Sequence, residues 1–437
     1  MLLKNTVCTI QKDLTIVFVQ LIPSGQFGTR LMGGSDAASP RYIYTLLSPI
    51  ARLLFPEVDD MVSAFFDPSA FEKHKQQNPI HYTIQLLTHK EEDGQLIEPD
   101  FYCPVIPLLL INGCQGIGTG WSTYIPQHNP RDVFNYIRAK LNGDKNLPTI
   151  NPWVRDFAGE ITEDIERGAY ITKGRITPTS NSSVSITELP IGVWTNDYRN
   201  CLLNMMTKAD VMSFSENHTT SKVSFDVKVN ISKLQRYLHG DIYNTFKLRN
   251  ALSTRNMHAF TPAMKIARYN TPQEIADSYF PIRLKLYGDR KSLLECNMEY
   301  TATKMRNKAR FIEAISADKI NLLRGRKSKD ATIALLEEMD FSKHSELDAI
   351  KTKYAAGRRP PAAVDSSESA TSGEGSSNDS TKEFDYLLNM PLSSLTLDKI
   401  DELNEDARKT EANLDDIKNS SKEDLWNADL DKLEPHI

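Results

Sequence analysis

Arg41 and Tyr42 stand side by side in GTRLMGGSDAASPRYIYTLLSPIARLLFP, residues 28–56. A phenol with an ordinary pKa near ~10 is a poor nucleophile until something stabilises its phenolate. An adjacent guanidinium can do that, and its planar fork can also grip a phosphate under attack. The pair can therefore serve phosphoryl transfer. It can equally be an aromatic at the start of a helix, which is the commoner origin of an Arg-Tyr pair. A second glycine-dense stretch, GCQGIGTGW at residues 113–121, also has two readings. It lacks the G-x-x-x-x-G-K-[ST] pattern and the downstream acid of dinucleotide sites, so it is a weak nucleotide fingerprint. Ile117 projecting from it could act as a wedge between bases. The bland alternative is a tight turn beside a buried strand.

Other charged or soft side chains offer less. Arg283, Lys285, Arg290, Lys291, Lys304, Arg306, Lys308 and Arg310 are interleaved with acids, as on a solvated helix face. Asp429 and Asp431 read as a helical charge pattern rather than a metal site. Cys8, Cys103, Cys114, Cys201 and Cys296 are scattered and odd in number. No CxxC pair or Cys/His cluster supports zinc or a disulfide framework, and a reducing compartment fits best.

The elements that must position these residues follow from periodicity. Residues 24–56 read as a glycine-rich turn and then a helix. Pro40 suits its first turn, and Ile43, Leu46, Leu47, Ile50 and Leu54 recur on one face. Residues 61–98 are mixed and polar, with one short strand or helix. The run CPVIPLLLIN is apolar enough to be buried. Residues 130–265 have a mixed α/β texture. They include helices near 130–141 and 195–206 and a strand placing Val223, Phe225, Val227, Val229 and Ile231 on one face.

At Thr271 the texture changes. TPQE offers an N-cap threonine, a first-turn proline and a glutamate completing a capping box. A charged helical stretch runs to about residue 318, with Pro281 predicting a kink or break. Met298, Ala302, Met305, Ala309 and Ile312 form a heptad seam. Ile400, Leu403, Ala407, Thr410, Leu414 and Ile417 form a second one. Two seams about 85 residues apart predict an antiparallel coiled coil with a small domain at its tip. Residues 320–356 read as shorter helices, and 358–383, rich in Ser, Gly, Pro and acids, as a disordered linker.

The chain has 437 residues, 40% apolar and 25% charged, with a net charge of −5. That length suits two to four compact units. No bulk basic signature announces nucleic-acid binding, so any such role needs a local surface. The apolar stretch from Leu14 to Pro23 is too short to span a bilayer.

Taken in order, these stretches resemble the breakage-reunion region of eukaryotic DNA topoisomerase II. GQFGTRLMGGSDAASPRYIYTLLSPIARLLFP resembles that family's active-site segment, and PVIPLLLINGCQGIGTGWSTYIP its next signature. ITELPIGVWTNDY, TFKL, RLKLYGDRK, KARFI and FDYLLNMPL follow in the family's order, so the likeness covers about residues 21–430. It implies that Tyr42 is a nucleophile attacking a DNA phosphodiester. Arg41 would stabilise charge on the scissile phosphate, and Ile117 would be the wedge that bends the duplex. Arg30 and Thr119 would be further DNA contacts.

The implied fold class is α+β and multidomain: a partial winged-helix domain, an α/β tower domain, and a long antiparallel coiled coil with a small helical dimerisation domain. Residues 1–20 are unassigned. The partial winged-helix domain spans 21–125, with 61–79 reading as an insertion, and the tower spans 126–265. The outgoing coiled-coil helix spans 266–320, the C-gate dimerisation domain 321–357 and the linker 358–383. Residues 384–437 form the return helix and C-terminal end.

Double-stranded DNA and a second copy of the chain are the implied partners, the nucleus the implied location, and no membrane role is implied. Mg²⁺ and ATP are the implied cofactors, both bound by domains missing from this chain, which has no Glu-Gly-Asp-Ser motif. The chain alone is therefore expected to bind and bend DNA but to cleave poorly or not at all. Met32 and Ser35 stand where the family leads one to expect more polar or basic residues. Two rival readings are a catalytically incompetent DNA-binding dimer on the same scaffold and a plain coiled-coil interaction protein. A bacterial gyrase-like protein fits less well, since the matching segments look eukaryotic.

Overall fold

The computed structural model describes residues 21–59, 89–92, 95–99, 101–164, 168–219, 222–261, 263, 265–317, 319–320, 329–356, 383–391 and 397–437. The unassigned residues 1–20, the 61–79 insertion and nearly all of the 358–383 linker lie outside them. The described residues are a mixture of helices and antiparallel sheets, an α+β chain. They divide into two compact units, one holding the residues up to Pro56, Cys103–Arg283 and Asn427–Ile437, the other Glu57–Tyr102 and Leu284–Trp426.

In the first unit, β1 (Leu21–Ser24) pairs antiparallel with β2 (Tyr44–Leu47), Leu21 opposite Leu47 and Ser24 opposite Tyr44. The intervening chain is the glycine-rich loop, ending in a single 3-10 turn, Pro40–Tyr42. This corrects the helix expected from Pro40 onward. The helix proper, α1 (Pro49–Leu54), starts at the second proline. Tyr44 and Thr45 favour extended backbone, and pairing with β1 takes up their backbone groups. The apolar set consequently splits: Ile43 and Leu54 are buried, while Leu46 and Leu47 are exposed.

Farther along, α2 (Leu108–Asn112) carries the predicted buried run, with Val105, Ile106, Leu110 and Ile111 wholly enclosed. It leads through Gly113 into a hairpin of β3 (Cys114–Ile117) and β4 (Ser122–Ile125). Gly113 has φ +66°, and a Cβ there would lie 2.7 Å from the Ile125 carbonyl oxygen, so only glycine makes this corner. The helix expected near 130–141 is α3 (Pro130–Leu141). Its Asn129 cap accepts from the Arg131 N–H at 3.0 Å, and Val133, Phe134 and Ile137 face inward.

Two antiparallel sheets follow. One, in the order β11-β6-β5, joins β5 (Glu160–Asp164), β6 (Ala169–Lys173) and β11 (Arg249–Ser253). The other, in the order β9-β10-β8-β7, joins β7 (Arg175–Ser180), β8 (Ser183–Glu188), β9 (Ser213–Glu216) and β10 (Phe225–Lys228). Between β8 and β9 lies the expected helix α4 (Thr195–Thr207); after β10 come α5 (Ile231–His239) and α6 (Ile242–Thr245). Val184, Ile186, Leu202, Phe225, Val227, Phe246 and Leu248 form a closed core. Val223, Phe225, Val227 and Val229 are buried as read from sequence. Ile231, however, is exposed: the Asn230 side chain accepts from the Ser232 N–H at 3.0 Å and turns the strand into α5. A last hairpin pairs β12 (Met257–Phe260) with β13 (Ile266–Tyr269).

The helix α7 (Pro272–Ser316) begins in the first unit and continues in the second. Its capping box forms: Glu274 N–H donates to Thr271 Oγ1 at 3.3 Å, and the Glu274 carboxylate accepts from Asn270 N–H at 2.8 Å. The predicted break at Pro281 does not occur. The helix runs through Pro281 without interruption, and Tyr279 and Arg283, flanking the proline, donate to the Pro104 and Cys103 carbonyls. Arg283 and Arg290 are buried, not members of a solvated face.

Within the second unit, a hairpin joins His89–Glu92 to Gln95–Pro99, two strands where one element was expected. The seam of α7 meets α11 (Leu397–Asn419) running in the opposite direction: Ala309 and Ile312 pack with Ile400 and Leu403, and Arg306 pairs with Glu411 at 2.5 Å. Between them in sequence lie α8 (Lys329–Glu338) and α9 (His344–Ala356), the shorter helices expected within 320–356, and α10 (Asp385–Leu388), a short helix inside the stretch read as the return helix. Phe311, Leu336, Phe341, Phe384 and Leu387 enclose their core. After α11 come α12 (Lys422–Leu433), whose residues from Asn427 onward belong to the first unit, and a 3-10 turn, Glu434–His436.

Candidate active site

The loop from Gly25 to Ile43 is pinned from within. Thr29 donates its N–H and its hydroxyl to the Asp36 carboxylate at 2.9 and 2.6 Å. Partial burial pushes the Asp36 carboxyl up, but the bonds from Thr29 outweigh this and hold it below its ordinary value. Gly34 and Met32 donate to the Thr29 carbonyl, and Ala38 N–H reaches the Gln26 carbonyl at 2.9 Å. Gly28, at φ +111°, touches Gly34 so closely that a Cβ would sit 2.4 Å from its Cα. Phe27 and Ile43 close a small apolar floor under the loop, with Ala38 against it.

On this floor the Pro40–Tyr42 turn points outward. Tyr42 N–H bonds the Ser39 carbonyl at 2.9 Å, and the ring stays 64% exposed. The Arg41 guanidinium carbon lies 4.9 Å from the ring centroid, within cation–π range. A fixed backbone thus presents an accessible phenol with a cation against it.

The β3–β4 hairpin is a second projection. Gly118 N–H bonds the Trp121 carbonyl at 2.8 Å, closing a loop in which Thr119 and Gly120 are exposed. Ile117, opposite Ser122, is 90% exposed. Enclosing such a side chain is worth roughly 1.5–3 kcal/mol, which stays unrealised until something covers it. The hairpin is braced from behind by residues 256–258. Tyr124 N–H bonds the Asn256 carbonyl at 2.9 Å, Asn256 Nδ2 donates to Ser122 Oγ at 2.9 Å, and Thr123 Oγ1 donates to the His258 carbonyl at 2.7 Å. Trp121 meets the His258 ring edge-to-face at 5.6 Å.

Arg30 faces elsewhere. Its guanidinium pairs with Glu188, whose side chain is only 4% exposed. Neither Glu188 nor the bracing Asn256 and His258 was singled out from sequence. For Glu188 a signal exists: it continues the inward alternation of Val184 and Ile186 along β8, an acid at a core position. For Asn256 and His258 there is none, because they meet the hairpin across more than 130 residues.

Among the described residues, no three His, Cys, Asp or Glu side chains lie together so as to hold a metal ion. Asp36 is committed to Thr29 and Glu188 to Arg30, Asp429 pairs with Lys432 at 3.3 Å, and Asp431 pairs with Arg138. These residues do not fit a Mg²⁺ site. Among the described residues no helix is long and apolar enough to cross a membrane.

The family model for the DNA gyrase/topoisomerase IV A-subunit matches residues 2–86 and 81–431, starting upstream of the segments quoted above. DNA topoisomerase 2 of Arabidopsis thaliana is 35% identical over 427 residues, 95% of this chain and 27% of that protein. DNA topoisomerase 2 of Plasmodium falciparum is 34% identical over 420 residues, 95% and 28% respectively. DNA topoisomerase 2-beta of Gallus gallus is 36% identical over 421 residues, 94% and 24%. The chain thus spans about a quarter of the length of these relatives. The crystal structure of the Plasmodium falciparum topoisomerase II DNA-binding, cleavage and re-ligation domain superposes with a TM-score of 0.75 at 32% identity. That match covers 98% of this chain and 54% of the other. With its match running through both projections and nearly end to end, this chain belongs to the DNA gyrase/topoisomerase IV A-subunit family.

Proposed function

We propose that the chain is the breakage-reunion part of a type II DNA topoisomerase, with Tyr42 as its nucleophile. The observation that carries this reading is the exposed Tyr42 phenol with the Arg41 guanidinium against its ring, presented by a loop crosslinked from Thr29 to Asp36. The Tyr42 phenolic oxygen attacks a backbone phosphorus, and its proton is given up. The bond from phosphorus to the 3′ oxygen breaks, and that oxygen leaves and takes a proton. A 5′-phosphotyrosine ester and a free 3′ hydroxyl result. One phosphodiester replaces another, so resealing needs no separate high-energy donor. Arg41 stabilises the charge gathering on the phosphate oxygens, a role for preorganised donors.

Ile117 enters a base step and bends the duplex, gaining cover for its exposed side chain. Thr119, exposed on the same loop, contacts the strand beside it. Two copies of the chain, each with one Tyr42, cut opposite strands of double-stranded DNA and let a second duplex through. A nuclear location goes with this reading, as do Mg²⁺ and ATP bound outside the residues described. In the same reading 21–125 is the partial winged-helix domain, 126–265 the tower, 266–320 and 384–437 the two arms of the coiled coil, and 321–357 the dimerisation domain.

A duplex with a bridging 3′ sulfur at the scissile phosphate tests the chemistry on this chain alone, because a thiolate leaves without help. Wild type is expected to form a denaturant-stable adduct, Tyr42→Phe none, and Arg41→Ala to form it about 10²–10³-fold more slowly. An undiminished adduct from Tyr42→Phe overturns the assignment.

A further inference from the structure

The loop that carries the nucleophile is held from outside as well as from within. At the start of α4 the Thr195 and Asn196 N–H groups have no partner inside the helix, and no side chain caps them. They donate instead to the Arg30 and Leu31 carbonyls, at 3.5 and 3.0 Å. Gly33, at φ +60°, lies flat on the Trp194 indole; a Cβ there would sit 2.3 Å from Trp194 Cε2. Beside these contacts the Arg30 guanidinium meets Glu188 at the end of β8.

Glu188 is itself immobilised. One carboxylate oxygen accepts both from Arg30 and from the Leu189 N–H at 2.9 Å. The other accepts from the Ala158 N–H at 3.2 Å. The carboxylate therefore has fixed donors on both oxygens, and Arg30 completes its set.

We infer that Arg30 and Glu188 are positioning residues: they clamp the 28–36 loop to β8 and the start of α4, and so aim Tyr42. The inference rests on the reading of Tyr42 as nucleophile. Its physical basis is register. Between the clamp and Tyr42 the chain is crosslinked by the Thr29–Asp36 and Gln26–Ala38 bonds, so a shift of Arg30 is passed on to the Pro40–Tyr42 turn. A misplacement of about 1 Å in a reacting group can cost 10²-fold in rate.

The test compares Arg30→Gln, Arg30→Lys, Glu188→Gln and the Arg30→Gln/Glu188→Gln double variant of the full chain. Three quantities are read: single-turnover adduct formation on the bridging-sulfur duplex at saturating DNA, DNA affinity against salt, and amide hydrogen exchange at Thr195 and Asn196. Each single Gln variant is expected to slow adduct formation about 10- to 100-fold. The double variant is no slower than either single one, because one interaction is lost in all three. Arg30→Lys recovers part of the rate, affinity and salt slope hold, and exchange at Thr195 and Asn196 quickens.

If Arg30→Gln instead weakens binding and lowers the salt slope by about one, while Glu188→Gln does neither, Arg30 is a phosphate contact and the inference falls. Additive losses in the double variant overturn it too. Should Glu188→Gln not fold, Trp194→Phe loosens the same loop from its other wall and must reproduce the slowed chemistry at unchanged affinity. If Tyr42 proves not to be the nucleophile, the exchange arm still decides the clamp: unaltered exchange in Arg30→Gln excludes it.

Discussion

At the scale of single residues, the site is defined by side chains left out of the core on purpose-built supports. Tyr42 and Ile117 are both apolar or aromatic and both largely exposed, each beside a turn closed by a backbone hydrogen bond. Exposure separates their functional weight from their structural weight. Ile117→Ala removes a side chain that packs on nothing inside the molecule, so its stability should stay within about 0.5 kcal/mol of wild type. DNA bending, followed by energy transfer between dyes at the two ends of a short duplex, should fall markedly. A large loss of thermal stability with bending unchanged would show Ile117 to be a packing residue. The residue types were legible in the sequence, and so was the glycine-rich context. Whether the phenol and the isoleucine face water was not, because solvent exposure is a property of what packs nearby.

At the scale of elements, ion pairs do different work according to burial. Asp59, in the 3-10 turn Glu57–Asp59, accepts two bonds of 2.7 Å from the Arg290 guanidinium, and both side chains are nearly buried. Arg290 also lies over the Tyr287 ring, which stacks on Trp426 at 5.4 Å. Removing one partner of such a pair leaves a buried charge uncompensated, so Asp59→Ala should cost about 3–5 kcal/mol, read by denaturant unfolding. Loss of less than about 1 kcal/mol would mean that water reaches Arg290. From sequence alone Arg290 belongs to a charged stripe, and only the packed helix distinguishes it from its neighbours. The same holds for the helix predicted from Pro40. Its apolar spacing is helical, but pairing with β1 supplies hydrogen bonds to the extended form, and the helix waits until Pro49. Conversely, the Thr271 capping box and the α3 boundaries were read correctly, since caps act over three or four residues.

At the scale of the whole molecule, an enclosed imidazole couples stability to acidity. Burial drives the His128 pKa down from 6.5 to about 4, only partly opposed by the bond between Nδ1 and the Leu110 carbonyl at 3.0 Å. Its Nε2 is buried without a partner among the described residues. The folded chain therefore keeps His128 neutral where the unfolded chain binds a proton. Stability contributed by the neutral form is fully present above pH 6.5 and is lost as pH falls toward about 4, by about 1.4 kcal/mol per pH unit. His128→Gln should flatten this limb of a stability–pH curve, and an unchanged limb would place the acid sensitivity elsewhere.

The sequence by itself determined the ordered segments of the family, the seams of the long helices, the capping and turn chemistry, and the candidate nucleophile. These depend on spacing within a few residues, or on long ordered stretches that resemble a known family. Only the tertiary structure decided that Arg30 meets Glu188, 158 residues away, that residues 256–258 brace the Ile117 hairpin, and that Pro281 does not break α7. Such contacts are made between elements whose pairing no local pattern encodes. They follow from which buried polar groups find each other once the cores have closed.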